Sequence, residues 1–91
     1  MRKEDIIRAI DARVMTAEKK DYAIWTVGIT NDPKVRKPQH GTEEDVRYWQ
    51  DWHADSEGDA RAIEKYFLAK GMKGGAGGGN PDDKPDWVYI F

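Results

Sequence analysis

Between Tyr22 and Thr30 the chain alternates between two faces, Ala23, Trp25, Val27 and Ile29 on one and Tyr22, Ile24, Thr26 and Gly28 on the other. Successive side chains of a strand point to opposite sides, and an exposed face is normally polar. Here both faces are largely apolar, which predicts a central strand over 22–30 covered by helices on at least one side. The remaining residues must supply that cover.

The chain is 91 residues long, 35% charged and free of cysteine, so no disulfide or thiolate–metal site supplements its core. Four Trp, four Tyr and two Phe offer the needed area. Trp25, Trp49, Trp52, Phe67, Trp87 and one of Tyr89 or Phe91 are the expected core aromatics. The length suits one domain over 1–91. The apolar run from Ala23 to Ile29 is too short to cross a bilayer. Met1-Arg2-Lys3-Glu4-Asp5 lacks a signal-peptide stretch, and the expectation is a cytoplasmic protein with no membrane partner.

Ile6, Ile7 and Ile10 share a helical face, which predicts an added N-terminal helix over 1–12. Arg13 to Ala17 reads either as its continuation or as a strand, and the expected core takes it as a strand beside those at 22–30 and 87–91. Asp32-Pro33 caps a short helix that Pro38 limits. Thr42-Glu43-Glu44-Asp45 resembles a capping box and predicts a second helix through Trp52. Ser56 opens a third, ending near Lys70 at Gly71. A Gly/Pro-rich loop follows over 72–85, with five glycines between Gly74 and Asn80. Trp87 to Phe91 closes the chain as a strand. The order predicts an α+β domain with a small, mostly antiparallel sheet of two or three strands packed with helices.

One residue breaks the pattern of the third helix. At about 100° per residue, Glu64 falls between Ala60 and Leu68, at the margin of the apolar face carried by Ile63 and Phe67. A carboxylate there is either a salt-bridged edge residue or a ligand to a cation. Lys34, Arg36, Lys37 and His40 supply a basic cluster near a helix start, which is either a solvated face or a phosphate site.

Two stretches together are similar to the GIY-YIG nucleases. Val27-Gly28-Ile29-Thr30-Asn31-Asp32-Pro33-Lys34-Val35-Arg36-Lys37-Pro38-Gln39-His40 resembles that family's second motif and the helix after it, with Arg36 and His40 in register with its arginine and histidine. Asp59-Ala60-Arg61-Ala62-Ile63-Glu64 resembles its later helix, which puts Glu64 at the metal-binding glutamate. The resemblance covers residues 13 to 91 and implies a GIY-YIG-like fold. It implies hydrolysis of DNA phosphodiester bonds with Mg2+ or Mn2+ on Glu64. Arg36 and His40 would be catalytic, and Lys34, Arg36 and Lys37 would bind phosphate. Thr26 and the Arg13-Val14-Met15 stretch stand where the family has its two motif tyrosines. Tyr22 is the nearest substitute, roughly 13 Å away along the strand.

The missing tyrosines keep a second expectation open, an inactive member serving as a protein- or nucleic-acid-binding module. Residues 43 to 59 carry seven acids against Arg47 alone, a surface that repels nucleic acid and suits a basic protein partner. DNA would then be confined to the Lys34–Lys37 helix, with Lys70 and Lys73 as further contacts.

Overall fold

Ile6, Ile10 and Val14 recur every fourth residue, so helix α1 (Lys3–Thr16) turns one continuous stripe inward, and all three are fully buried. The computed structural model describes residues 1–18, 20–74 and 84–91. Val14 continues the stripe one turn past Ile10, which is why 13–16 is helix and not the strand expected there. The N-terminal helix is also no appendage, because it completes the core that α3 (Glu57–Ala69) lays against the sheet.

The expected strand over 22–30 is shorter. Asp21 accepts a hydrogen bond from the backbone N–H of Ala23, 2.9 Å, and closes a 3-10 turn over Tyr22–Ile24 before β1 (Thr26–Thr30) begins. Helix α2 (Pro33–Gln39) opens on Asp32, whose side chain accepts from Lys34 N–H, 3.0 Å. Pro38 lies inside α2 without breaking it, and the end tightens to a His40 N–H bond to the Lys37 carbonyl.

The predicted helix over 42–52 does not form. Thr42 and Asp45 do make their reciprocal bonds, but the chain runs on only as turns to Tyr48. Gln50–His53 then becomes strand β2. Trp49, Trp52 and their neighbours suit a pleated surface, and pairing with the last strand outweighs the cap.

Strands β3 (Lys73–Gly74) and β4 (Trp87–Ile90) complete a four-stranded mixed sheet in the order β2-β4-β1-β3. β4 is antiparallel to both β1 and β2, while β3 runs parallel to β1. The fold is α+β as expected, with more strands than two or three and one parallel pair. β3 occupies the start of the predicted 72–85 loop; the connector at 75–83 lies outside the described residues.

Gly28 faces Tyr89 and Tyr89 faces Asp51, so these three share one side of the sheet. Val27, Ile29, Trp52, Val88 and Ile90 share the other, where they join Ile63 and Phe67 of α3 and the α1 stripe. Leu68 is exposed, which leaves Glu64 at the rim of the buried face. No helix among the described residues is long and apolar enough to cross a membrane.

Candidate functional site

The sheet face away from α1 and α3 carries a fully buried tyrosine, Tyr89, whose ring crosses β1 over Gly28. A Cβ at Gly28 would overlap the Tyr89 hydroxyl, so glycine is what lets the ring lie flat on the strand. Trp49 covers the ring from outside at 4.3 Å between centroids and 9° between planes. Its indole N–H donates to Asp51, 2.8 Å, which fixes the ring's orientation.

His40 Nε2 meets the Tyr89 hydroxyl at 2.7 Å. The Arg36 guanidinium, whose Nη1 donates to Gln39 Oε1 at 2.7 Å, lies close enough for its charge to act on that hydroxyl, so α2 brings both of its predicted residues near one oxygen. The turn from Lys37 to His40 delivers the histidine after Pro38, so the proline does not separate the two side chains. Glu64 approaches from α3, close enough for its charge to act on the same hydroxyl. Among the described residues, β3 pairs with β1 only at Thr26 and Val27.

The electrostatics divide the roles. Burial, followed by the neighbouring Arg36 charge, holds His40 below its usual range, so its imidazole is neutral at pH 7. Burial raises the Tyr89 hydroxyl and Glu64 adds to this, while Arg36 opposes both. Glu64 is pushed up by burial, with Arg61 only partly offsetting it. A half-buried carboxylate held in this way gains from a cation placed beside it.

Mg2+ keeps several waters and is commonly held by one or two carboxylates together with substrate phosphate. Glu64 fits that mode as an oxygen donor. Among the described residues no three His, Cys, Asp or Glu side chains group to form a fuller cage.

Lys34 and Lys37 are exposed and stand apart from this centre. They line an open cleft of about 460 Å³ with Trp49, Asp51 and Trp87. With only seven residues, α2 contributes little dipole, so any pull on a phosphate here comes from the lysine side chains. Trp49 belongs to both the cleft and the Tyr89 cluster. His53 stacks on Trp87 at 4.5 Å and is bound to Asp86, 2.7 Å, with no part in the centre.

Tyr22, the sequence-based substitute for a motif tyrosine, is committed elsewhere. Its hydroxyl donates to Asp11, 2.6 Å, and its ring stacks on Phe67. Lys70 is held by the same Asp11 at 3.3 Å, so it is no spare phosphate contact. The acids of 43–59 are dispersed over the turns, β2 and the start of α3. Glu44 pairs with Arg47, Asp45 with Thr42, Asp51 with Trp49 and Glu57 with Arg61.

Sequence reasoning assigned Tyr89 only to the core. The available signal was Gly28, a glycine inside a β-branched strand, which marks close approach by another group. A scan against protein-family models, a search of curated proteins and a search of solved structures each find no match to this chain.

Proposed function

We propose that Arg36, His40, Glu64 and Tyr89 form the active centre of a divalent-metal-dependent DNA phosphodiesterase. It would be a divergent GIY-YIG-type nuclease whose tyrosine comes from β4. The observation that carries this reading is the hydroxyl of Tyr89, on which Arg36, His40 and Glu64 act together.

Hydrolysis needs a water deprotonated as it attacks phosphorus. Neutral His40 is a suitable proton acceptor, and the Tyr89 hydroxyl bonded to its Nε2 would serve as a relay. The Tyr89 oxygen accepts the water proton as its own proton passes to His40 Nε2. Arg36 faces the charge that develops on the phosphoryl oxygens. A Mg2+ or Mn2+ ion held by Glu64 would supply stabilisation of the leaving oxygen.

Supercoiled plasmid incubated with Mg2+ or Mn2+ tests the reading. Nicking should fall by roughly 10²–10⁴-fold in His40→Ala and Tyr89→Phe. It should be lost in Glu64→Gln together with metal-induced NMR shifts around α3. Absence of both nicking and metal response in folded protein overturns the proposal.

A second reading draws on the cleft beside the centre. Lys34 and Lys37 with the Trp49 and Trp87 rings suit a nucleic-acid backbone with a stacked base. Salt-dependent DNA association that survives Glu64→Gln, without nicking, would favour a binding module over an enzyme. A basic protein on 43–59 has less support, because the pairings above already engage many of its acids.

A further inference from the structure

We infer that a second cleft, between the end of α1 and the Arg47–Tyr48 turn, binds a small aromatic carboxylate. The cleft measures about 450 Å³, within the range of small-ligand sites, and none of Arg36, His40, Glu64 or Tyr89 lines it. Its walls include Arg13, Ile24, Trp25, Arg47 and Tyr48.

Two buried donors in these walls have no acceptor among the described residues. The indole N–H of Trp25, a residue 6% exposed, is unpartnered, and so is the Nε–H of Arg13. Buried donors are almost always satisfied by protein, water or ligand. Both nitrogens belong to residues that line one cleft but are themselves closed to solvent, so an acceptor in the cleft reaches them only as the Arg13 side chain shifts.

Charge and shape narrow the class. The Arg13 guanidinium lies 5.2 Å from the Trp25 ring centre and 5.8 Å from that of Tyr48, and no carboxylate among the described residues pairs with it. A guanidinium held on aromatic rings presents its N–H edge in a geometry that suits a planar carboxylate. Arg47 lies 4.7 Å from the Tyr48 ring but is already paired with Glu44 at 2.9 Å. Glu18 is also in the lining, so the cleft has little surplus positive charge and favours a monoanion over a phosphate dianion. Ile24 and Tyr48 are large apolar side chains left about half exposed, and they offer a surface for a flat ring.

2-Naphthoate is the probe, and the four tryptophan indole N–H signals of 15N-labelled protein are the readout. The Trp25 signal, assigned through Trp25→Phe, should move downfield saturably as its proton gains an acceptor, while the other indoles stay nearly still. The neutral 2-naphthamide should bind about tenfold more weakly or worse. Arg13→Gln should remove the response in a sample whose spectrum remains dispersed. If that variant does not fold, the comparison of acid and amide on the unmodified protein decides alone. A Trp25 signal unmoved at millimolar naphthoate, equal affinity for the amide, or equal shifts at all four indoles would overturn the inference.

Discussion

Gly28 is the residue on which the centre turns, because the space of its absent side chain is filled by the Tyr89 hydroxyl. Gly28→Ala should therefore cost about 1–3 kcal/mol by overpacking, measured by urea denaturation. Tyr89→Phe removes only part of the obstruction, so the double variant should show a coupling that neither single change predicts. Glu64 works in the opposite sense. Its raised pKa means that the folded chain binds a proton more readily than the unfolded one, which penalises folding at neutral pH. Glu64→Gln should raise the Tm at pH 7, and the gain should disappear as the pH falls to its ordinary 4.5. A carboxylate that lowers stability while serving a site is the expected trade between the two.

At the scale of elements, periodicity was the dependable signal, while caps were right at Asp32 and Ser56 and misleading at Thr42. The stripes of α1 and α3 were readable from Ile6, Ile10, Ile63 and Phe67, because buried positions repeat with the helix itself. Ile10→Ala should cost about 2–5 kcal/mol by leaving a cavity, and a chevron or denaturant curve would measure it. An N-terminal helix merely added to the domain would tolerate that change. The Thr42–Asp45 cap was also readable, yet capping contributes about 1 kcal/mol and cannot impose a helix on residues that gain more in a sheet. The fate of Trp49 and Trp52 depended on a partner strand lying more than thirty residues away, and no local window contains it. The same holds for the centre. Arg36, His40 and Glu64 were singled out along the chain, but the Tyr89 hydroxyl enters only once β4 is placed in register beside β1.

For the molecule as a whole, pH acts through groups of opposite sign. Burial holds His40 below its ordinary 6.5, so between those two values the unfolded chain carries a proton that the folded chain refuses. The His40 contribution is complete above 6.5 and is lost as pH falls through the depressed value. Glu64 partly compensates, since folding becomes easier as its carboxylate protonates. Denaturation from about pH 7.5 to about pH 5.5 should thus show a loss of stability in the parent that is absent in His40→Gln. The nuclease reading adds a matching expectation, with nicking flat above the His40 titration and declining below it.

The register of Gly28 with Tyr89 joins positions 61 residues apart, and β4 lies between β1 and β2, which do not touch without it. Such pairings are made late and slowly, because the chain must close a long loop before any contact rewards it. Extra glycines in the Gly74–Asn80 connector should slow refolding while leaving the unfolding rate nearly unchanged, with each doubling of the loop costing only about 0.6 kcal/mol. On the proposed nuclease reading, nicking and the final closure of the sheet would then appear in one kinetic event. A collapsed intermediate holding both long helices would still be inert.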